Sequence, residues 1–248
     1  MTVRYRVRWT KEGRTRFVSA RDQSSIWERA LRRADLPIAY SEGFTPHARV
    51  SFPDALPVGV ASTGEYAELT FSAALRADTA FARLSHALPD GMDILTYSEV
   101  PAGAPKLANL LRATLWEMLW PPVDATELTA FLERRCDTLS AATTYPVVRH
   151  RHDGDRTLDV RPAVVSLAVA MGPTPDGSGA RTSLRAVLRN DAPTIRPADL
   201  LVALGDGNVA APALVRRVAQ GAPSPEGLTE ALTGQVEDVG SFVVAEAA

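Results

Sequence analysis

Cysteine occurs once in these 248 residues, and that scarcity excludes several chemistries. The lone Cys136 rules out an intramolecular disulfide, a three-cysteine iron-sulfur site and a Cys-x2-Cys zinc pair within the chain. Any metal would need His and carboxylate ligands, and none is expected. Cys136 continues Leu128, Phe131, Leu132 and Leu139 at helical spacing, the pattern of a packing residue. Long apolar runs are missing too. None approaches the roughly 18 residues of a membrane span, and no charged-then-apolar leader precedes the first strand, so a cytoplasmic protein is expected. The sequence contains no Walker loop, dinucleotide fingerprint or nucleophile elbow, which leaves nucleotide hydrolysis and acyl transfer unsupported and gives no reason to expect a cofactor.

What remains is globular in character. An apolar fraction of 46% with 23% charged residues suits a soluble domain with a real core, and the length allows one large domain or two small ones. The net charge of −2 conceals an asymmetry: residues 1–50 carry 11 Lys/Arg against 5 Asp/Glu, a net of +6, leaving −8 for the rest. An anionic partner for the N-terminal part is the natural inference.

Periodicity supplies the elements. Residues 2–10 alternate strictly, Val3, Tyr5, Val7 and Trp9 against Arg4, Arg6 and Arg8, which predicts a strand with one buried face. Ile26, Trp27, Ala30 and Leu31 form a helical stripe within 22–36, with Arg29, Arg32 and Arg33 on another side and Ser19 or Asp22 as cap. A loop holding Gly43 and Pro46 leads to strands over 49–52 and 64–72, a helix over 74–88 and a strand over 92–100. The order is βαββαβ, the ferredoxin-like split motif.

Pro101 to Pro105 reads as a linker. Beyond it come a strand over 113–120, a helix over 124–140, a hairpin of 146–151 with 156–160, strands over 164–171 and 181–189, and a short helix over 196–204. The second half reads as a diverged copy of the first. The expected fold is therefore α+β, two tandem ferredoxin-like halves spanning 1–100 and 110–220. From 221 to 248 the chain turns rich in Pro, Gly, Ser and acid, with a short apolar patch at Phe242, and a mobile or loosely docked tail is expected.

Several separated motifs occur together: Phe17-Val-Ser-Ala-Arg-Asp22, Glu28-Arg-Ala-Leu-Arg-Arg33, Leu36-Pro-Ile-Ala-Tyr-Ser41, Gly43-Phe-Thr-Pro-His47, Leu56-Pro-Val-Gly59, Glu65-Tyr66, Leu158-Asp-Val-Arg-Pro162 and Arg196-Pro-Ala-Asp-Leu200. In this order, across roughly residues 3–220, they resemble an uncharacterised bacterial domain family found fused to, or encoded beside, radical S-adenosylmethionine proteins. The resemblance implies an accessory module with such a partner and no assigned activity. The chain lacks a Cys-x3-Cys-x2-Cys motif, so it is not itself the radical enzyme. It carries Ala20 where the resembled pattern has His in Ser-His-x-Asp, and no catalytic role passes to that position.

The candidate site residues each have two readings. The Arg4, Arg6 and Arg8 row either pairs with acids across the sheet, Arg6 with Glu68, or contacts phosphate, although the stacking aromatics of single-stranded RNA binders are not evident. Glu28 and Arg32 suit an i,i+4 pair, whereas Arg29 and Arg33 repel unless an anion, or an acid from elsewhere in the chain, lies between them. In the 41–47 loop, Gly43 permits an unusual backbone angle and Pro46 stiffens the approach to His47. If the chain is extended there, His47 and Arg49 share a side and suit phosphate. His150 and His152 lie on one strand face beside Asp153 and Asp155, and Asp159 and Arg161 either pair with each other or grip a ligand.

The expected function is a non-catalytic recognition module that holds an anionic substrate such as RNA for a separate enzyme. In it Arg29, Arg33, His47 and Arg49 grip phosphate, Gly43 shapes the loop, Phe44 anchors it and Arg161 contributes from the second half. Two alternatives stand beside it: a metal-independent endoribonuclease with His47 as proton-transfer group, and a protein-docking scaffold.

Overall fold

Strict alternation in the first strand organises the first of two units. The structure, a computed structural model, describes residues 2–191, 193–205 and 209–240, and divides into Met1–Leu110 and Leu111–Ala248. The first unit runs β1 (Val3–Lys11), α1 (Ala20–Arg33), β2 (Val50–Ser51), β3 (Ala61–Phe71), α2 (Ala77–Ala87) and β4 (Ile94–Glu99). Its strands lie in the order β4, β1, β3, β2, every neighbour antiparallel. Tyr5, Val7 and Trp9 face the helices and pack with Trp27, Leu31, Leu69, Phe71, Phe81 and Leu84. Edge-to-face contacts join Trp9, Trp27 and Phe52, an arrangement that adds to simple area burial.

Local signals set the ends of α1. Ser19 accepts the Asp22 amide at 3.2 Å and donates its hydroxyl to the Asp22 carboxylate at 2.7 Å, satisfying an otherwise orphaned donor. At the other end Asp35 adopts φ +49. Its amide donates to the Arg32 carbonyl and that of Leu36 to the Leu31 carbonyl, at 3.1 and 3.2 Å. This is a Schellman closure with Asp in the left-handed position, and it stops the helix short of the expected residue 36.

The second unit runs β5 (Ala113–Leu119), α3 (Ala125–Ala141), β6 (Pro146–Arg149), β7 (Arg156–Asp159), β8 (Val164–Pro173), β9 (Ala180–Arg189), α4 (Pro197–Gly205), β10 (Leu214–Ser224), β11 (Gly227–Glu230) and β12 (Val236–Asp238). Its main strands lie in the order β10, β5, β9, β8, again antiparallel, and β6 with β7 forms a separate hairpin. Taken by their order of appearance, the main strands of both units follow fourth, first, third, second. Each β5 face is buried: Met118 packs with Leu132, Leu184 and Leu200, while Ala113 and Leu115 pack with Val187, Ala219 and Leu228. Cys136 lies in the former cluster, where burial, with Asp137 and Glu133 adding to it, pushes its thiol up to about 12. That suits packing rather than chemistry.

One expectation is corrected by this architecture. The stretch from 221, expected to be a mobile tail, continues β10 and then forms β11 and β12. A Cβ at Gly221 would lie 1.9 Å from the Thr229 carbonyl oxygen, so glycine there allows two backbones to meet. The acidic Glu230 is an acceptor for the amides of Leu232 and Thr233, at 3.0 and 2.6 Å. The Pro, Gly, Ser and acid content belongs to tight turns, not to an unfolded segment. The apolar patch at Phe242 lies outside the described residues. Among the described residues no helix is long and apolar enough to cross a membrane.

Candidate functional site

The 41–47 loop is the tip of a hairpin that returns the chain from α1 toward β2. Tyr40 and Ala48 form an isolated bridge. The Ser41 amide donates to the His47 carbonyl at 2.9 Å, the His47 amide to the Ser41 hydroxyl at 3.0 Å, and the Arg49 amide to the Ala39 carbonyl at 2.8 Å. Every residue from Ser41 to His47 is exposed. Gly43 adopts φ +128, a backbone region that side-chain-bearing residues avoid, as its place in the loop suggests.

Phe44 reverses its expected role. It is 109% exposed and anchors nothing, because backbone hydrogen bonds and the Ser41 hydroxyl close the loop without an aromatic foot. The ring stands at the tip, immediately after Gly43. Tyr40, at the base of the hairpin, is half exposed as well. Exposed aromatics are thus present in this unit, on the hairpin rather than on the sheet.

The hairpin meets α1 through a contact not anticipated from spacing. His47 Nδ1 lies 3.7 Å from Glu28 Oε1, an ion pair when the imidazole is protonated, so Glu28 faces the loop. Successive helical residues rotate by about 100°. Arg21 and Arg32 therefore lie within about 20° and 40° of Glu28, Arg29 lies about 100° away, and Arg33 about 140°. Arg33 donates to the Ala87 carbonyl at the end of α2, at 3.3 Å. Arg33 is thus directed toward the end of α2, on the far edge of the exposed face. Among the described residues neither Arg29 nor Arg49 has a carboxylate within ion-pair distance. The α1 arginines on the Glu28 side of the helix are Arg32, one turn on, and Arg21, two turns back and about 10 Å away along the axis, with Arg29 next round. Their signal was in the sequence as positions seven before and four after Glu28.

His47 and Arg49 are not aligned by simple alternation. The Val50 amide donates to the Ala48 carbonyl at 2.8 Å, a tight turn centred on Arg49 that interrupts the extended chain. Arg49 remains exposed, and its carbonyl accepts the Thr70 amide at 3.0 Å.

The arginine row of β1 is engaged internally. Arg6 stands opposite Glu68 in the ladder, and Arg4 and Arg6 bind the two oxygens of that carboxylate at 3.0 and 2.9 Å. Arg6 also donates to the Pro105 carbonyl, and Arg8 to the Thr63 carbonyl at 2.9 Å. Cross-strand pairing accounts for this row.

Candidates of the second unit also make internal contacts. β7 ends at Asp159, so Asp159 and Arg161 do not share a strand face. The Asp159 carboxylate accepts the amides of Tyr145 and Arg161 at 2.8 and 3.0 Å, and the Arg161 guanidinium donates to the carbonyls of Ala142 and Val164, both at 3.1 Å. His150 Nδ1 lies 2.8 Å from Asp155 within its own exposed hairpin. Asp199 of the Arg196-Pro-Ala-Asp-Leu200 motif accepts Arg149 Nε at 2.8 Å and the Arg196 amide at 2.7 Å. Burial pushes the Asp199 carboxyl upward, but the Arg149 and Arg196 hydrogen bonds and the Arg149 charge outweigh it, and the net displacement is downward.

Over residues 4–197 the chain matches the family described as an uncharacterized protein conserved in bacteria (DUF2344). No curated protein matches it.

Proposed function

The chain belongs to that family of uncharacterized proteins conserved in bacteria, and on this premise we propose that it is a non-catalytic recognition module holding RNA for a separate enzyme. The observation that carries the reading is the docking of the 41–47 hairpin beside the basic face of α1, with His47 3.7 Å from Glu28. This sets an exposed His and an aromatic-tipped hairpin against the helix that carries the exposed arginines, while in the other arginine row of the unit Arg4 and Arg6 share Glu68 and Arg8 binds the Thr63 carbonyl. Exposed arginines of this kind suit phosphate, and their contribution falls with salt. The N-terminal excess of positive charge acts in the same direction.

Two finer elements belong to this proposal. The fourth, first, third, second strand order of both units supports a tandem of ferredoxin-like halves, the second carrying β6 and β7 as an insertion. The motif resemblance suggests a radical S-adenosylmethionine protein as the partner enzyme.

One observation favours a second reading. Glu28 beside His47 resembles a carboxylate orienting a proton-transfer imidazole, which fits a metal-independent endoribonuclease. The separation exceeds hydrogen-bond length, and recognition is the better supported function.

The test is a salt titration of binding to cellular RNA, with the products resolved on a gel. Recognition expects salt-sensitive binding and intact RNA, lost in a variant carrying Arg21→Glu, Arg29→Glu and Arg32→Glu. Cleavage abolished by His47→Ala would establish the nuclease. Absence of binding at every salt concentration would refute both and leave docking to a protein.

A further inference from the structure

We infer that Phe44 is a stacking residue for an unpaired base, so that the RNA taken by the hairpin is single-stranded at that point. The inference rests on the RNA reading above and adds the form of the ligand. A single exposed apolar side chain is ordinary on a protein surface. Phe44 differs in three respects. The residue is fully exposed, which leaves its ring open to solvent. Its loop needs no support from it, since the Ser41 to His47 hydrogen bonds and the Tyr40 to Ala48 bridge close the hairpin. And it directly follows Gly43 at φ +128, which turns the backbone so that residue 44 forms the tip.

The chemistry around it selects the ligand. His47, three residues on, stands beside α1, whose Arg21 and Arg32 flank Glu28, and Arg49 is exposed at the hairpin base. An aromatic tip between cationic groups matches a nucleotide, in which a flat base adjoins a phosphate. Bases stack on aromatic rings with little regard to identity, and only unpaired ones present their faces. A duplex offers phosphate to the arginines and no accessible base face to Phe44. The inference therefore separates two contributions that a simple polyanion site would merge, a salt-dependent one from α1 and a base-dependent one from the tip.

The experiment compares wild type, Phe44→Ala and Phe44→Trp in binding three probes: a short oligoadenylate carrying a central 2-aminopurine, the same strand annealed to its complement, and inorganic polyphosphate. Phe44→Ala is expected to weaken binding of the single strand about tenfold and to abolish the change in 2-aminopurine fluorescence. Phe44→Trp is expected to restore both, and duplex and polyphosphate binding to stay level throughout. Because the side chain touches no core residue, an unchanged melting temperature checks folding. Unchanged single-strand affinity in Phe44→Ala, with binding still lost on reversing the α1 charges, would overturn the stacking role and leave RNA recognition standing. An equal loss for polyphosphate would also overturn it, by assigning Phe44 to loop shape. Failure of wild type to bind any strand would remove the inference together with the reading beneath it. Loss of a protein partner in Phe44→Ala with unaltered RNA affinity would assign the tip to docking instead.

Discussion

Two hairpins occupy the same slot in the two units, each between the first helix and the strand that follows, and they differ in what their side chains touch. In the second unit, β6 and β7 bury Val147 and Leu158, Arg149 binds Asp199 and the Thr194 carbonyl, and Asp159 closes the turn that follows. In the first unit the loop from Ser41 to His47 lies in the open, Phe44 touches nothing and Arg49 has no carboxylate partner among the described residues. The same topological position is thus tied down by internal partners in one unit and left open in the other. Composition does not separate them, since both hairpins carry Arg, His and Asp or Glu. What separates them is whether the polar groups are satisfied from within.

The sharpest way to break this comparison is to remove the internal partner in the second unit. Asp199 and Arg149 side chains are 6% and 18% exposed, and leaving one charge buried without the other costs about 3–5 kcal/mol. Asp199→Ala is therefore expected to lower the unfolding free energy by about that amount in urea denaturation, with single-strand RNA affinity unchanged at temperatures where the variant is folded. The pH dependence has a definite sign. The folded carboxyl of Asp199 titrates below its unfolded value, so its stabilisation is complete above about pH 5 and fades as acid carries the protein through the unfolded and then the folded value. Asp199→Asn should flatten this acid limb. An unaltered acid limb would mean that the pair does not hold the hairpin.

The contrast also marks how far sequence reasoning reaches. Strict alternation over Val3 to Trp9 and the Leu128 to Leu139 stripe disclosed their elements because burial repeats at a fixed period. Ser19 capping and the Arg6 to Glu68 pairing followed from local rules. The exposure of Phe44 is not legible in the sequence, because an aromatic between Gly and Pro carries no period and hydrophobicity alone suggests burial. The i,i+4 rule pairs Glu28 with Arg32, whereas a hairpin almost twenty residues away competes for it. The strands after 221 are hidden in the sequence because turn residues and disordered segments share a composition, and pairing partners such as Thr229 for Ala222 are set by three-dimensional approach.

Opening the comparison from the other side means removing the free charges. Reversing Arg21, Arg29 and Arg32 to Glu should lower RNA affinity at least about tenfold. It should also flatten the salt dependence by about 0.7 in log–log slope for each phosphate contact removed. Exposed helix residues change stability by about 0.5 kcal/mol or less, so denaturation should barely move. Arg33→Glu alone should behave differently, with little effect on binding, since Arg33 donates to the Ala87 carbonyl. A smaller effect is expected from the loop itself. Gly43→Ala places a Cβ on a residue at φ +128, a strain of about 1 kcal/mol in a loop free to adjust. Because no atom lies within 4 Å of that Cβ, the loss should come from backbone conformation and show as weaker binding with almost the same melting temperature.

The finest test concerns Glu28, the carboxylate beside His47 of the hairpin. In the recognition reading Glu28 competes with phosphate for a protonated His47 and repels the ligand, so Glu28→Gln should tighten RNA binding about twofold, a scale set by the modest strength of exposed ion pairs. In the nuclease reading the same carboxylate orients the imidazole, and Glu28→Gln should slow cleavage without tightening binding. The two readings thus predict opposite directions from one substitution that leaves shape and volume nearly unchanged. Isothermal titration beside a cleavage time course separates them: tighter binding with intact RNA makes the hairpin a presenting surface, and slower cleavage makes it a reacting one.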